Sequence, residues 1–276
     1  MIPTFLLMLR EGLEAALIVG IVSAYLVKIG RRDALPKVAA GVLAAVALSI
    51  AAGVLVVATI GRLPFVIQET LEGIAGLAAV AVLTWMLFWM RRQGRAIKGE
   101  LERGVDLALS QGGTIALVGL VFIAVIREGL ETVLFLLALV SSTGTGPATI
   151  LGGILGLATA VAVGWAIFVG GVRVNLRTFF TATGVVLIFV AAGLVAFSIA
   201  EFGEAGLFRN AGAAFDLNGV LADSTPLGNV LRGLFGYRSQ PTVLELAGYL
   251  LYLVPVLFLF VGDRLPFRRS PPVTAS

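Results

Sequence analysis

The residues of this chain best suited to chemistry are glutamates set inside long apolar segments. The pentapeptide Arg-Glu-Gly-Leu-Glu occupies residues 10–14 and recurs unchanged at residues 127–131. Side chains three or four positions apart lie on the same side of a helix, so each copy presents two carboxylates together, with an arginine four residues before the second. Glu69 and Glu72 form a third pair at the same spacing. Carboxylate oxygens suit hard cations such as Mg²⁺, Ca²⁺, Mn²⁺ and Fe³⁺.

Placing these charges in a membrane needs a compensating partner. One charged side chain at the centre of a membrane helix costs about 2.5–3.5 kcal/mol, so eight unpartnered charges would cost on the order of 20 kcal/mol. Protonation of some glutamates, a water-filled cavity or a bound cation would each remove that cost. Interhelical Arg–Glu pairs are the structural alternative, but two arginines cannot balance six glutamates. The predicted metal ligands are therefore Glu11, Glu14, Glu69, Glu72, Glu128 and Glu131, with Arg10 and Arg127 tuning the local charge.

The composition supports this setting and excludes other chemistry. Of 276 residues, 59% are hydrophobic and 13% charged, about half the charge of a typical soluble domain. The chain has no Cys and no His, which excludes disulfides, iron–sulfur clusters and the usual zinc and haem ligands. Met8 is the only methionine near either motif in the sequence apart from the initiator, too little for a copper(I) path. We expect no permanently bound cofactor.

Seven segments are long enough to cross a hydrocarbon core of about 30 Å, which takes about 20 residues. We therefore predict an all-α integral membrane protein with seven transmembrane helices, in which residues 1–276 form a single transmembrane domain. Glu69 and Glu72 stand near the start of the third segment and have helix capping as an alternative role. The seven segments are residues 2–29, 38–60, 65–90, 115–140, 148–172, 178–200 and 243–261.

The two motif copies divide the chain into two similar halves. Each copy lies in the first span of a group of three, so repeat A covers about 2–90 and repeat B about 115–200. Three is an odd number, so the second repeat must cross the membrane with inverted polarity, as in transporters whose sites lie near the bilayer midplane. The rest is an outer loop at about 201–242 with a short interfacial or re-entrant helix, a seventh helix at about 243–261 and a tail at 262–276.

The basic residues predict the orientation. Fourteen of the twenty lie in alternate connections and in the tail, and only four lie on the other side, so the positive-inside rule places the N-terminus outside and the C-terminus in the cytoplasm. The basic residues thus report topology and indicate no nucleic-acid partner. In this orientation several acids form a funnel on the outer side that recruits cations. Its predicted outer members are Glu201, Glu204, Asp216, Asp223 and Glu245.

The doubled motif in a seven-span chain resembles the oxidase-dependent high-affinity iron permeases, a family with fungal and bacterial EfeU-type members. The resemblance covers essentially the whole chain, including residues 233–237 of the outer loop. It implies iron uptake across the cytoplasmic membrane, with the Arg-Glu-x-x-Glu residues as iron ligands, and Glu69-x-x-Glu72 is similar to a further acidic motif of the family. Fungal members work with a multicopper ferroxidase and bacterial ones with periplasmic partners. The chain resembles the short bacterial form.

We therefore expect a permease, not an enzyme, that takes up iron as ferric ion supplied by an oxidising partner outside the membrane. Another hard or divalent cation, Mn²⁺ or Pb²⁺, is an alternative cargo, since lead-uptake proteins share the motif. A membrane-embedded carboxylate–metal redox enzyme is a further alternative, although Glu-x-x-His helices are absent from the sequence. The sequence does not indicate the oligomeric state.

Overall fold

The computed structural model describes residues 1–60, 63–93, 97–144, 146–168, 176–208, 212–223 and 225–262. These residues are almost entirely helical, and the strand-like pairing found among them is one isolated bridge between Ala213 and Thr242. The predicted all-α class is therefore confirmed. The helices are α1 (Ile2–Lys28), α2 (Leu35–Ile60), α3 (Phe65–Gln93), α4 (Ile97–Thr143), α5 (Pro147–Phe168), α6 (Leu176–Glu204), α7 (Pro226–Phe235) and α8 (Val243–Gly262).

Six of the described helices are long and apolar enough to cross a membrane: α2 to α6 and α8. Their outer surfaces agree with this, because α2 alone exposes seven large aliphatic side chains from Leu43 to Val57, a face that water would not tolerate. The first helix has the length of a span, with 27 residues, but carries three charges in its first half. The chain is thus a multi-pass helical membrane protein.

The fourth helix departs from the sequence prediction. We expected a basic loop up to residue 115, whereas α4 begins at Ile97, and its only non-helical residue is Gly113, with φ 62°. A left-handed φ of this kind favours glycine. The preceding helical segment has an apolar side that packs inward, with Val105 buried in the same apolar cluster as Leu26 and Leu117. That burial explains why residues with so many charges are helical. The short helix expected in the outer loop is present as α7.

Some predicted features lie outside the described residues. They are the tail at 263–276, the end of the fifth predicted span at 169–172, and parts of three connections, at 61–62, 94–96 and 209–211.

The helices pack in pairs that cross between the two predicted repeats. Glycines on α5 bring it against α1, with Gly152 at Met1 and Gly164 at Ala16, so these two helices run parallel. The glycine at position 41 of α2 meets Val118 of α4, and Gly53 meets Val133, so α2 and α4 are also parallel. Helices α3 and α6 are antiparallel neighbours. The central pair, α1 and α4, is therefore flanked on each side by the second helix of the other repeat.

Candidate metal-binding site

The two copies of the motif meet where α1 and α4 pack against each other. Oxygen atoms of Glu11, Glu128 and Glu131 all lie within 4.8 Å of one another. Glu11 is 2% exposed and Glu128 6% exposed, and Glu14 is also buried. Residues more than 110 positions apart in the sequence thus form one carboxylate cluster in the protein interior.

Arg10 is buried beside this cluster. It is only 1% exposed, and its Nε lies 3.2 Å from Glu14 Oε1 while its Nη1 lies 3.9 Å from Glu11 Oε1. Its Nη2 donates a hydrogen bond to the Met90 sulfur of α3 at 3.9 Å. The guanidinium group therefore contacts two carboxylates of its own helix and one thioether of another.

Arg127 has the same place in the second motif but different surroundings. Its Nε donates to Glu131 Oε1 at 2.9 Å and lies 3.9 Å from Glu128 Oε1. The guanidinium carbon lies 5.4 Å and 5.5 Å from the ring centroids of Trp85 and Trp89, within cation–π range. Its side chain is 42% exposed. The two arginines are thus alike in sequence but unequal in burial.

Several polar atoms of the cluster have no hydrogen-bond partner among the described residues. Buried polar groups are nearly always satisfied, and an unsatisfied one costs about 1–3 kcal/mol. A multivalent cation is the ligand that would satisfy converging carboxylate oxygens, and the all-oxygen set fits a hard or borderline ion. The atoms without a hydrogen bond are both carboxylate oxygens of Glu11, Oε1 of Glu14, Oε2 of Glu128, Oε2 of Glu131, and Nε and Nη1 of Arg10.

The glycine of each motif lets a neighbouring helix approach. A Cβ on Gly12 would lie 2.7 Å from Ala160 Cβ of α5, and a Cβ on Gly129 would overlap the side chain of Ser49 on α2. Real Cβ atoms do not approach other atoms as closely as either substituted side chain would. The role of these glycines was not predicted from the sequence, although their place in a repeated motif is a visible signal.

The third predicted pair, Glu69 and Glu72, does not belong to this cluster. Both lie near the start of α3, where Glu72 accepts a hydrogen bond from Gln68 at 2.9 Å. The carboxylates of Glu72 and Glu204 lie near enough to Glu69 to act on it electrostatically. Glu201, one turn before Glu204 on α6, is buried with its Oε2 unpartnered among the described residues. These acids form a separate group, whose metal-binding and recruiting roles remain predictions.

The other predicted recruiting acids have partners within the outer segment. Asp216 accepts hydrogen bonds from the Asn218 backbone and the Gln240 side chain. Asp223 accepts one from the Ser239 backbone at 2.8 Å.

Glu245 is buried and pairs with Arg238 at 3.0 Å. These contacts stabilise the fold of the loop, so a recruiting role for the three acids also remains a prediction.

An apolar layer closes one side of the carboxylate cluster. Leu7 lies one turn before Glu11 on α1, and Phe135 lies one turn after Glu131 on α4. Because the two helices are antiparallel, both side chains lie on the same side of the cluster, where they are buried together with Leu83 and Leu187. Beyond them is a cavity of about 30 Å³ between α4, α6 and α7. The site is therefore closed on the side of α7.

Three neighbours of the cluster were not predicted from the sequence: Trp85, Trp89 and Met90. All three lie on α3, far from both motifs in sequence. Their spacing carried no signal beyond that of an ordinary apolar helix, so only the packing of α3 against α4 could reveal them.

A multi-pass helical protein that brings four carboxylates and two guanidinium groups together where two of its helices meet has the features of a membrane transporter for cations. The model of the iron permease FTR1 family matches residues 1–266 of the chain. "Ferrous iron permease EfeU" of Escherichia coli O157:H7 is 46% identical over 280 residues, which cover all of both chains. The permease of the same name from Yersinia pestis is 46% identical over 263 residues, 94% of this chain and 93% of the relative.

The chain therefore belongs to the FTR1 iron permease family. This confirms the resemblance found in the sequence. The relatives are named permeases, so the chain is a transporter and not the redox enzyme considered as an alternative. No solved structure matches the chain.

Proposed function

We propose that this protein carries iron inward across the cytoplasmic membrane through the carboxylate cluster of Glu11, Glu14, Glu128 and Glu131. The observation that carries the proposal is the convergence of Glu11, Glu128 and Glu131, from both motif copies, within 4.8 Å and in the protein interior. Since some of their oxygens make no hydrogen bond among the described residues, the cluster has oxygen ligands to offer an ion.

The proposed topology has seven spans, with α1 as the first, and two inverted repeats. The pairing of α1 with α5 and of α2 with α4, both parallel, supports this arrangement. In each pair, the first helix of one repeat packs against the second helix of the other repeat. An N-terminus outside then places α7 and the outer loop on the external side, as the positive-inside rule predicts.

The formal charges of the cluster favour a divalent ion. Four carboxylates and two guanidinium groups sum to −2 when ionised, which Fe²⁺ would neutralise. The relatives are named ferrous iron permeases, which supports the same choice. Ferric ion, supplied by an oxidising partner as the sequence analysis expects, is the second candidate because an all-oxygen ligand set suits a hard trivalent ion.

We infer a sequence of binding positions for the ion. Glu69, Glu72, Glu201 and Glu204 would receive it near the outer ends of α3 and α6, and the central cluster would hold it next. Arg10 and Arg127 lower the negative charge so that the ion is also released. The membrane potential supplies about 2.3 kcal/mol per charge per 100 mV, so inward movement of a multivalent cation needs no nucleotide.

The test is iron uptake by proteoliposomes that contain the wild-type protein, Glu11→Gln or Glu128→Gln. Each substitution keeps the shape of the side chain but removes a charged ligand, and we expect uptake to fall at least about tenfold. Asp33→Asn is the matched control, because Asp33 is an exposed carboxylate paired with Arg31 outside the cluster. Full uptake by Glu128→Gln at normal insertion would contradict the proposal.

Parallel assays with reduced iron under ascorbate and with ferric citrate decide the oxidation state. Competition by Mn²⁺ and Pb²⁺ against each form then decides the alternative cargoes.

A further inference from the structure

We propose that the thioether of Met90 is a ligand of the transported ion and makes the site selective for iron over Ca²⁺ and Mg²⁺. The inference rests on the proposed function of the carboxylate cluster and adds to it a ligand of a different chemical class. It starts from the contact between the Arg10 guanidinium and the Met90 sulfur, which brings α3 into a site otherwise built by α1 and α4.

The Arg10 guanidinium marks a cation position that already has three ligand atoms around it. These are Met90 Sδ at 3.9 Å from Nη2, Glu11 Oε1 at 3.9 Å from Nη1 and Glu14 Oε1 at 3.2 Å from Nε. Neither Nε nor Nη1 makes a hydrogen bond, so the guanidinium is held by charge and enclosure more than by directed bonds. A metal ion that displaces it meets the same two carboxylates and the same sulfur.

The Met90 side chain is largely buried in the protein interior. Met90 is 9% exposed, and Met86, one turn earlier on the same face of α3, is completely buried. An unbranched thioether side chain adapts its position through several rotatable bonds. Met90 can therefore follow an ion over a short distance without a change in the helix.

The chemistry of the thioether supplies the selectivity. Sulfur is a soft, uncharged ligand that binds transition metal ions but adds little for Ca²⁺ and Mg²⁺, which prefer oxygen. Carboxylates alone bind all of these ions. A site that combines carboxylates with one thioether therefore favours Fe²⁺, and also Cd²⁺, over the alkaline-earth ions that share its charge.

The chain supplies a matched control. Met8 is also a methionine on α1, but its side chain faces α5, where it lies 3.8 Å from the position of a Cβ on Gly153. Met8→Leu and Met90→Leu therefore make the same chemical change, and only the second removes a sulfur that contacts the cluster.

The experiment measures iron uptake by proteoliposomes against added Cd²⁺ or Ca²⁺. For Met90→Leu we expect the Cd²⁺ concentration that halves uptake to rise about tenfold, and Ca²⁺ to inhibit at lower concentrations than in the wild type. Met8→Leu should behave as the wild type. Unchanged competition by both ions in Met90→Leu would overturn the inference, whereas a wild-type protein that takes up no iron would overturn the proposed function instead.

X-ray absorption of Cd²⁺ bound to the purified wild-type protein tests the ligand without transport. A sulfur neighbour in the first shell, retained in Met8→Leu, supports the proposal even if Met90→Leu fails to insert. A shell of oxygen alone in the wild type overturns it.

Discussion

Gly12 and Gly129 take equivalent places on opposite sides of the carboxylate cluster. Gly12 of α1 lies against Ala160 of α5, and Gly129 of α4 lies against Ser49 of α2. Each motif therefore has two faces: the glutamates point to the cluster, and the glycine holds the second helix of the other repeat. This explains why a glycine is present in the middle of both charged segments.

Alanine at either glycine should destabilise the protein and reduce iron uptake. Neither neighbour can move aside as the end of a flexible side chain would, so the helices must separate, at a cost of about 1–3 kcal/mol. Thermal unfolding in detergent together with uptake measures both effects.

Gly20→Ala and Gly119→Ala are the matched controls, because no atom lies within 4 Å of a Cβ built at either position. These two substitutions should leave stability unchanged or raise it by about 0.5–1 kcal/mol. Equal effects at all four glycines would show that close approach is not the reason for the motif glycines.

The inequality of the two arginines leads to a second prediction. Arg127 is partly exposed and stacked on Trp85 and Trp89, so its replacement should be tolerated better than that of the buried Arg10. Arg127→Gln leaves the carboxylates more negative. Iron should then bind more tightly and leave more slowly, so that both the apparent KM and the maximal uptake rate fall, each on the order of fivefold.

The control for this prediction is Arg103→Gln, which removes an exposed arginine that donates to the Gly99 carbonyl near the start of α4. It should leave both kinetic constants unchanged. A higher KM in Arg127→Gln would mean that Arg127 helps to hold the ion or its ligands, and not to release it.

The outer segment provides a third prediction, which concerns structure and not affinity. The Tyr237 hydroxyl donates to the Leu221 carbonyl at 2.7 Å, and desolvation together with the nearby Asp223 carboxylate raises the pKa of Tyr237 above its usual value. The loop therefore favours the protonated hydroxyl. This stabilisation is complete below the ordinary tyrosine pKa of about 10 and is lost as the pH rises through the higher value in the folded loop.

The difference in absorbance between the wild type and Tyr237→Phe during an alkaline titration reports this group. We expect its midpoint above that of free tyrosine, and a lower midpoint in Asp223→Asn. If Asp223 instead recruits iron, Asp223→Asn would raise the KM for uptake and leave the tyrosine titration unchanged.

The sequence alone predicted the central cluster because the motif is repeated and charged within apolar segments, where few other roles fit. It also predicted where the long apolar helices lie, since hydrophobic length is a strong signal. It did not predict the helical segment before Gly113, because a segment that carries many charges is typical of a loop. The helix is stabilised by the burial of Val105 against other helices, which the sequence does not show. Nor could it predict Met90 or the two tryptophans, since their roles depend on which face of α3 meets the cluster.

The orientation in the membrane gives the last prediction. The chain has no cysteine, so single cysteines report the side of the membrane without interference. Asn229 of α7 and Asp33, just before α2, are both exposed. With the N-terminus outside and seven spans, Asn229→Cys should react with a membrane-impermeant maleimide on intact cells, and Asp33→Cys should react only after permeabilisation.

A third position, directly after Met1, distinguishes seven spans from six. If α1 lies along the membrane surface and does not cross it, every later connection stays on the same side of the membrane as in the seven-span topology. The N-terminus is then in the cytoplasm. A cysteine added directly after Met1 would then be protected in intact cells while Asn229→Cys still reacts. Reaction of both in intact cells requires that α1 crosses the membrane, which places Glu11 and Glu14 between the two aqueous phases, where a transported ion must pass.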